Sequence, residues 1–226
     1  MKTLITEHFE FNYSESLQKL VEKITNCTNY NYILDFLKLK SFRVVKVNLF
    51  DNQKNFIDFI KSLNSPDLFI PDYCQGTFDR GMINHSITAL NDENELQRAC
   101  CSVFHELVHI INSELFYDKR VVWFDEGLAQ NLSLEKSGLQ GSRLLDYINN
   151  NINKRIIPKI NDLQHGNSFL NKNINGYAIS YISVRYLIES MNRDDFLDLL
   201  KHSDMQIKAG ENNIIENAIK FFEKNN

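Results

Sequence analysis

The sequence predicts an α+β protein with a small mixed sheet in the first third of the chain and helices in the remainder. Strand-like alternation of apolar and polar residues occurs at residues 8–13 and 42–50, both before residue 91. From Asn91 onward, apolar residues recur mostly at helical spacing. Because strands and helices are segregated along the chain, the pattern favours an α+β fold over an alternating α/β fold.

The first four elements alternate between strand and helix. Residues 8–13 (HFEFNY) read as a strand, and Ser14 is predicted to cap the amphipathic helix that follows. Residues 42–50 (FRVVKVNLF) form the clearest strand pattern, after which Asp51 is predicted to open a second helix. That helix would present one apolar face, made of Phe56, Phe59, Ile60 and Leu63.

Two short strands punctuated by Gly76 and Gly81 are predicted next, joined by a turn over residues 78–81. We expect the second of them, Met82–Ser86, to be an edge strand of the sheet, with His85 exposed to solvent. The remainder is predicted to be helical, with helices at about 92–113, 124–136, 141–152, 176–191, 193–202 and 213–223.

Composition is that of an ordinary globular protein. The chain has 226 residues, 43% of them hydrophobic, and a formal net charge of −4. We expect one domain over 1–226, with an N-terminal lobe over about 1–113 and a helical lobe over about 114–226. No basic run suited to nucleic acid and no apolar stretch long enough to span a membrane occurs.

Cysteine usage favours a reducing compartment. Cys27, Cys74, Cys100 and Cys101 show neither a CxxC pair nor a disulfide-type spacing. The first sixteen residues turn polar and acidic before an apolar signal region forms. These features predict a cytoplasmic protein, although a secreted chain whose leader had been removed would look the same.

The first candidate site residues along the chain are His105, Glu106 and His109, which fit the pattern H-E-x-x-H. On a helix, histidines four residues apart face the same way and can bind one zinc ion, while the Glu between them can accept a proton from water. With His105 at 0° on a helical wheel, His109 falls near roughly 40°. One continuous arc on the other side holds the apolar residues Leu96, Ala99, Cys100, Val103, Phe104, Leu107, Val108, Ile110 and Ile111.

A catalytic zinc usually takes three protein ligands, so a third must lie downstream. The metzincin pattern would need Gly at 112 and His at 115, where this sequence has Asn112 and Leu115. The next candidate is Glu126, since the intervening residues suffice for one helix to end, a loop to turn, and a second helix to begin.

The segments His105-Glu106-x-x-His109 and Trp123-x-x-Glu126-Gly127-x-Ala129 together resemble the gluzincin branch of zinc metallopeptidases, and most closely the compact bacterial peptidase MA-like domains. The likeness is specific around residues 105–130 and loose elsewhere. It implies a zincin-like fold that binds one zinc ion per chain through His105, His109 and Glu126. It also implies that Glu106 acts as general base and then as general acid.

Further roles follow from the same resemblance. Tyr177 is the first choice for stabilising the oxyanion of the tetrahedral intermediate, with Tyr181 and His165 as alternatives. Gln130 or Asp125 would orient a metal-binding histidine. The amine-binding G-x-M-E-N pattern of the aminopeptidases is missing, which favours an endopeptidase.

The sequence therefore predicts a hydrolase: a zinc-dependent peptidase acting on a peptide or protein substrate. A substrate strand is expected to pair with the edge strand Met82–Ser86. The alternative is a non-catalytic zinc-binding regulatory or interaction domain that retains the fold, and a third is an enzyme that cleaves a non-peptide amide or ester. Physiological substrate, cleavage preference and oligomeric state stay open.

Overall fold

A computed structural model describes residues 1–71, 74–87, 90–116, 120–135, 163 and 175–225. It is α+β, with a five-stranded mixed sheet near the N-terminus and helices through most of the remainder, so the predicted fold class is confirmed. The helix predicted over 141–152 and the candidate His165 lie outside the described residues. The chain divides into two compact units, Met1–Ile110 and Ile111–Asn226.

The described elements are numbered here in chain order. The strands are β1 (Lys2–Ile5), β2 (Phe9–Tyr13), β3 (Val45–Phe50), β4 (Gly76–Asp79) and β5 (Met82–Ser86). The α-helices are α1 (Gln18–Thr25), α2 (Asn29–Phe36), α3 (Gln53–Leu63), α4 (Glu93–Leu115), α5 (Val122–Leu134), α6 (Gly176–Ser190), α7 (Arg193–Lys201) and α8 (Ser203–Asn225).

The strand order in the sheet is β1-β2-β3-β5-β4. Strand β5 pairs with β3 in parallel and with β4 in antiparallel fashion, so the prediction that Met82–Ser86 is an edge strand is wrong. Arg80 and Gly81, with φ of 49° and 70°, turn the chain so that β4 lies outside β5. The edge at this side of the sheet is therefore β4, Gly76–Asp79.

Two local interpretations at the start of the chain need correction. Ser14 precedes a short 3-10 helix, Glu15–Leu17, but its side chain makes no capping hydrogen bond. Its hydroxyl donates instead to Asp51 Oδ2 at 2.8 Å, and this bond together with one from Ser16 lowers the pKa of Asp51. Helix α3 begins one residue later than expected, because Asn52 is its cap and accepts from the Asn55 N–H at 2.8 Å.

Strand β1 was not predicted from the sequence. All four of its residues are exposed, so it lacks the alternation of buried and exposed positions by which β2 was recognised. A polar row also crosses the sheet: Asn12 donates to Asn48 at 3.1 Å, and Asn48 donates to the buried Asn84 at 2.9 Å. These amide bonds connect three neighbouring strands in one register.

In the second unit, α5 packs closely on α6 because Gly127 has no side chain. A Cβ at Gly127 would lie 2.2 Å from the Ser180 carbonyl oxygen. Asn131 of α5 donates to the carbonyl oxygens of Gly127, at 2.8 Å, and Tyr181, at 2.9 Å. Trp123 at the start of α5 is fully buried, as expected of a core anchor. Across the described residues, no helix combines the length and the apolar character needed to cross a membrane.

Candidate metal centre

The histidine pair lies on α4, which begins after Asp92. The Asp92 Oδ1 atom accepts from the Asn94 N–H at 2.8 Å, as a helix cap does. After the first twelve residues of the helix the chain reaches the H-E-x-x-H segment, where the Nε2 atoms of His105 and His109 are 3.0 Å apart. Their rings are nearly perpendicular, at 87°.

The spacing of the two Nε2 atoms suits a shared metal ion. Two nitrogens at about 2.0–2.1 Å from a tetrahedral zinc are separated by about 3.3–3.4 Å. The observed 3.0 Å between His105 and His109 therefore needs only a small adjustment of the rings. His105 is half-buried and His109 is 3% exposed.

The apolar arc of α4 determines which way the histidines face. Residues of the arc such as Val103, Phe104, Leu107 and Val108 are fully buried, as the helical wheel predicts. The ring of Phe104 contacts that of Phe9 in β2, with centroids 6.1 Å apart. With the apolar side of α4 held against the sheet, the His side of the same helix is left for polar groups.

Strand β4 lies against the His side of α4. The ring of Phe78 is centred 5.4 Å from that of His109. A Cβ at Gly76 would lie 3.0 Å from Ser102 Oγ and 3.3 Å from the Oε1 atom of Glu106. Glycine at 76 thus lets the backbone of β4 approach the carboxylate of the predicted general base.

His85 lies inside this region, which corrects the prediction that it is exposed. It is 2% exposed, and its Cδ2 atom would also be 3.0 Å from a Cβ at Gly76. Burial lowers the pKa of His85 to about 4, so the ring is neutral at neutral pH. The prediction of an exposed His85 assumed that β5 is the edge strand. In the structure β5 pairs with β3 on one side and with β4 on the other.

Cys74 is a second group near Glu106 that the sequence did not single out. Burial raises the pKa of the Cys74 thiol, and the Glu106 carboxylate raises it further. The thiol donates to the Gly76 carbonyl oxygen at 3.4 Å. No sequence signal marked this cysteine, since its approach to Glu106 depends on the path of the chain into β4.

In the second unit, Asp125 lies in the first turn of α5 and Glu126 follows it. Asp125 is 1% exposed and accepts from Asn112 Nδ2 at 2.8 Å and from Arg120 Nε at 2.5 Å. The same guanidinium donates through Nη2 to Glu126 Oε1 at 2.9 Å. Sequence reasoning missed both Asn112 and Arg120, although an Arg five or six residues before two carboxylates was a usable signal.

Three side chains have the chemistry to hold a metal ion: His105 and His109 in the first unit and Glu126 in the second. Each offers one ligand atom, a ring nitrogen from each histidine and a carboxylate oxygen from Glu126. Two imidazoles and one carboxylate are a donor set that zinc takes in catalytic sites, where the fourth position is left for water or substrate. The three ligands expected from the sequence therefore fit a zinc ion chemically.

The remaining candidates lie on α5 and α6. Tyr177 is half-buried in the first turn of α6, and its carbonyl oxygen accepts from Gln130 Nε2 at 3.0 Å. Tyr181, one turn further, is 1% exposed and belongs to the packed core of its unit. Burial of Tyr181 leaves Tyr177 as the better placed of the two for contact with a ligand.

The chain matches no protein-family model, no curated protein and no solved structure.

Proposed function

We propose that this protein is a zinc-dependent peptidase of the gluzincin type, acting as an endopeptidase and binding one zinc ion per chain through His105, His109 and Glu126. The observation that carries the proposal is the H-E-x-x-H segment on α4, whose two Nε2 atoms are 3.0 Å apart. The carboxylate of Glu126 adds the third donor type that such sites use.

The chain's own residues would divide the chemistry as follows. When bound, zinc would supply Lewis-acid polarisation of the scissile carbonyl and acidification of a water molecule. Glu106 would accept the proton of the attacking water and return it to the leaving amine. Its carboxylate is buried beside the backbone of β4, which restricts its motion. Tyr177 would donate a hydrogen bond to the oxyanion.

Strand β4 would replace β5 as the strand that receives substrate. Its inner edge is paired with β5, and the described residues show no strand paired with its outer edge. An extended peptide could add to that edge through backbone hydrogen bonds, as in β-augmentation. Because β4 passes Glu106 at Gly76 and His109 at Phe78, such a peptide would run alongside the proposed catalytic groups.

Metal analysis and one conservative variant test this proposal. We expect one zinc ion per chain in the wild-type protein, and unchanged zinc content in Glu106→Gln. Turnover of a cleavable peptide, found by screening a peptide library, should fall by roughly 10²–10⁴-fold in that variant, because a positioned general base is lost. Glu114→Gln is the matched control, since Glu114 is exposed near the end of the same helix.

The outcomes separate the candidate functions. Tyr177→Phe should lower turnover less than Glu106→Gln, with zinc retained, because polarisation of the carbonyl survives. Zinc binding without turnover of any peptide would favour the non-catalytic zinc domain. Turnover of amide or ester compounds without turnover of peptides would favour an enzyme that cleaves a non-peptide amide or ester. Absence of zinc from protein prepared without chelators would refute the metal site itself.

A further inference from the structure

The start of α5 carries a charged network to which the proposed chemistry assigns no role. Asp125 is 1% exposed, and each of its carboxylate oxygens accepts a hydrogen bond. Oδ1 accepts from Asn112 Nδ2 at 2.8 Å, and Oδ2 accepts from Arg120 Nε at 2.5 Å. A buried carboxylate needs donors and opposite charge around it, so Asp125 holds the guanidinium of Arg120 firmly.

Arg120 connects Asp125 to the neighbouring carboxylate of Glu126. It lies two residues before α5, and its guanidinium donates through Nη2 to Glu126 Oε1 at 2.9 Å. Because the guanidinium is planar and its donors point in fixed directions, holding Nε at Asp125 also determines where Nη2 points. The position of the Glu126 carboxylate therefore depends on a group that is itself anchored in the core.

Exposure differs along this network. The Arg120 side chain is 39% exposed and that of Glu126 is 13% exposed, whereas Asp125 is buried. An exposed ion pair alone would restrain Glu126 weakly, because solvent screens it and both side chains move. Here the restraint reaches Glu126 from a buried anchor, while part of the Glu126 side chain is still accessible.

A hydrogen bond from Arg120 is compatible with metal binding by Glu126. An ionised carboxylate has about four lone-pair positions, so it can accept from Arg120 Nη2 and also bind a metal ion. Carboxylates that bind metals are commonly held by such outer hydrogen bonds. The positive charge of Arg120 would repel a cation, but the adjacent negative charge of Asp125 offsets it.

We propose that Arg120 is a positioning residue that holds the Glu126 carboxylate in the orientation in which it binds zinc, with Asp125 as the anchor of Arg120. The inference rests on the proposed function, since it takes Glu126 as the third zinc ligand. A carboxylate that is oriented before binding loses less side-chain freedom when it binds the ion. Arg120 should therefore raise the affinity for zinc without contacting the ion.

The test measures the zinc affinity of the full-length protein by competition with a chelator. Arg120→Met keeps a long side chain but removes both donors, and we expect zinc to bind about 10–100-fold more weakly. The matched control is Arg185→Met, in the same unit. Arg185 also bridges two carboxylates, those of Glu135 and Glu189, neither of which is a proposed ligand. It should bind zinc as tightly as the wild type.

A double-mutant cycle shows whether Arg120 acts through Glu126. In the Glu126→Ala background, Arg120→Met should cause no further loss of zinc affinity, because the carboxylate that Arg120 positions is gone. An equal loss in both backgrounds would overturn the proposal, since Arg120 would then act on the protein in general. The cycle compares variants that carry the same change at Arg120, so a general loss of stability cancels.

Cobalt-substituted protein gives a spectroscopic readout that a merely structural contact would not move. The visible absorption of bound Co²⁺ depends on the geometry of its ligands. Arg120→Met should change this spectrum at saturating Co²⁺, whereas Arg185→Met should leave it as in the wild type. An unchanged spectrum in Arg120→Met would overturn the proposal.

The remaining outcomes separate this inference from the proposed function. If Arg120→Met bound zinc as tightly as the wild type, the positioning role would be wrong and the zinc site would stand. Tighter binding in Arg120→Met would also overturn it, because the guanidinium would then compete with the metal for Glu126. Wild-type protein that binds no zinc would refute both the inference and the proposed function.

Discussion

Helix α4 presents different chemistry on two opposite sides. One side carries His105, Glu106 and His109, and the other carries Cys100 within an apolar arc. The histidine nitrogens are 3.0 Å apart because helical geometry places residues four apart on one side. Cys100 lies in the core because the apolar arc of α4 packs against the sheet, where Phe104 contacts Phe9 of β2.

A short sequence motif predicts only those side-chain positions that the local backbone geometry fixes. The histidine pair requires nothing beyond the helix that carries it, so a five-residue motif predicts its geometry. The apolar side has no such motif, since the distant residues that pack against it, such as Phe9 against Phe104, are set by the tertiary fold. Both sides are largely buried, so exposure does not distinguish them.

The largest expected effect is on metal binding at the His side. His109→Ala should reduce the zinc content from one ion per chain to none, because one imidazole and one carboxylate rarely retain zinc. Cys100→Ala is the control from the opposite side and should keep its zinc. Elemental analysis after gel filtration measures both. If His109→Ala and Cys100→Ala contained equal amounts of zinc, His109 would not be a zinc ligand.

The next prediction separates two neighbouring carboxylates. Glu126→Ala should weaken zinc binding strongly, whereas Asp125→Ala should keep one zinc per chain. The latter should instead lower the free energy of unfolding by roughly 1–3 kcal/mol, because Asn112 is left buried without its acceptor. Chelator competition and urea denaturation give the two readouts. If Asp125→Ala lost more zinc than Glu126→Ala, the third zinc ligand would be Asp125 and not Glu126.

A pH dependence is expected from His85, on the His side of the first unit. Its pKa is about 4 in the folded protein against 6.5 for the ordinary side chain. The unfolded chain therefore binds a proton as the pH falls below 6.5, while the folded chain does so only near pH 4. Between these values the free energy of unfolding should fall by about 3 kcal/mol through His85 alone.

The measurement is urea denaturation of chelator-treated protein between pH 4 and 7, compared with His85→Gln. Chelation removes the contribution of metal release, and the comparison removes that of the carboxylates common to both proteins. The variant should show a shallower loss of stability on acidification. Identical slopes would show that His85 is not the buried neutral group described.

The smallest effect is expected at Gly76, where β4 approaches α4. Gly76→Ala adds a methyl group 3.0 Å from His85 Cδ2, 3.0 Å from Ser102 Oγ and 3.3 Å from Glu106 Oε1. All three neighbours are side-chain atoms that can shift slightly, so we expect a loss of only about 1 kcal/mol in the free energy of unfolding. Cys100→Ala again serves as the comparison from the opposite side. A stabilised Gly76→Ala protein would mean that β4 does not press against Glu106.

Several features were predictable because they depend on neighbouring residues. The turn at Arg80 and Gly81, the helix over residues 93–115 and the segregation of strands from helices all follow local patterns. The exposed strand β1 was not predictable in this way, since a strand without a buried face has no alternation. Ser14 was misread because its hydroxyl bonds to Asp51, a residue on another strand end.

The sequence by itself determined the residue types of the candidate metal ligands, the spacing of His105 and His109 and the choice of Glu126 as the next candidate donor. The tertiary structure alone decided that β4 rather than β5 is the edge strand and that His85 is buried and neutral. The physical reason is that helix and turn geometry is encoded within a few residues. Strand order and burial depend instead on which distant segments pack together to remove apolar surface from water.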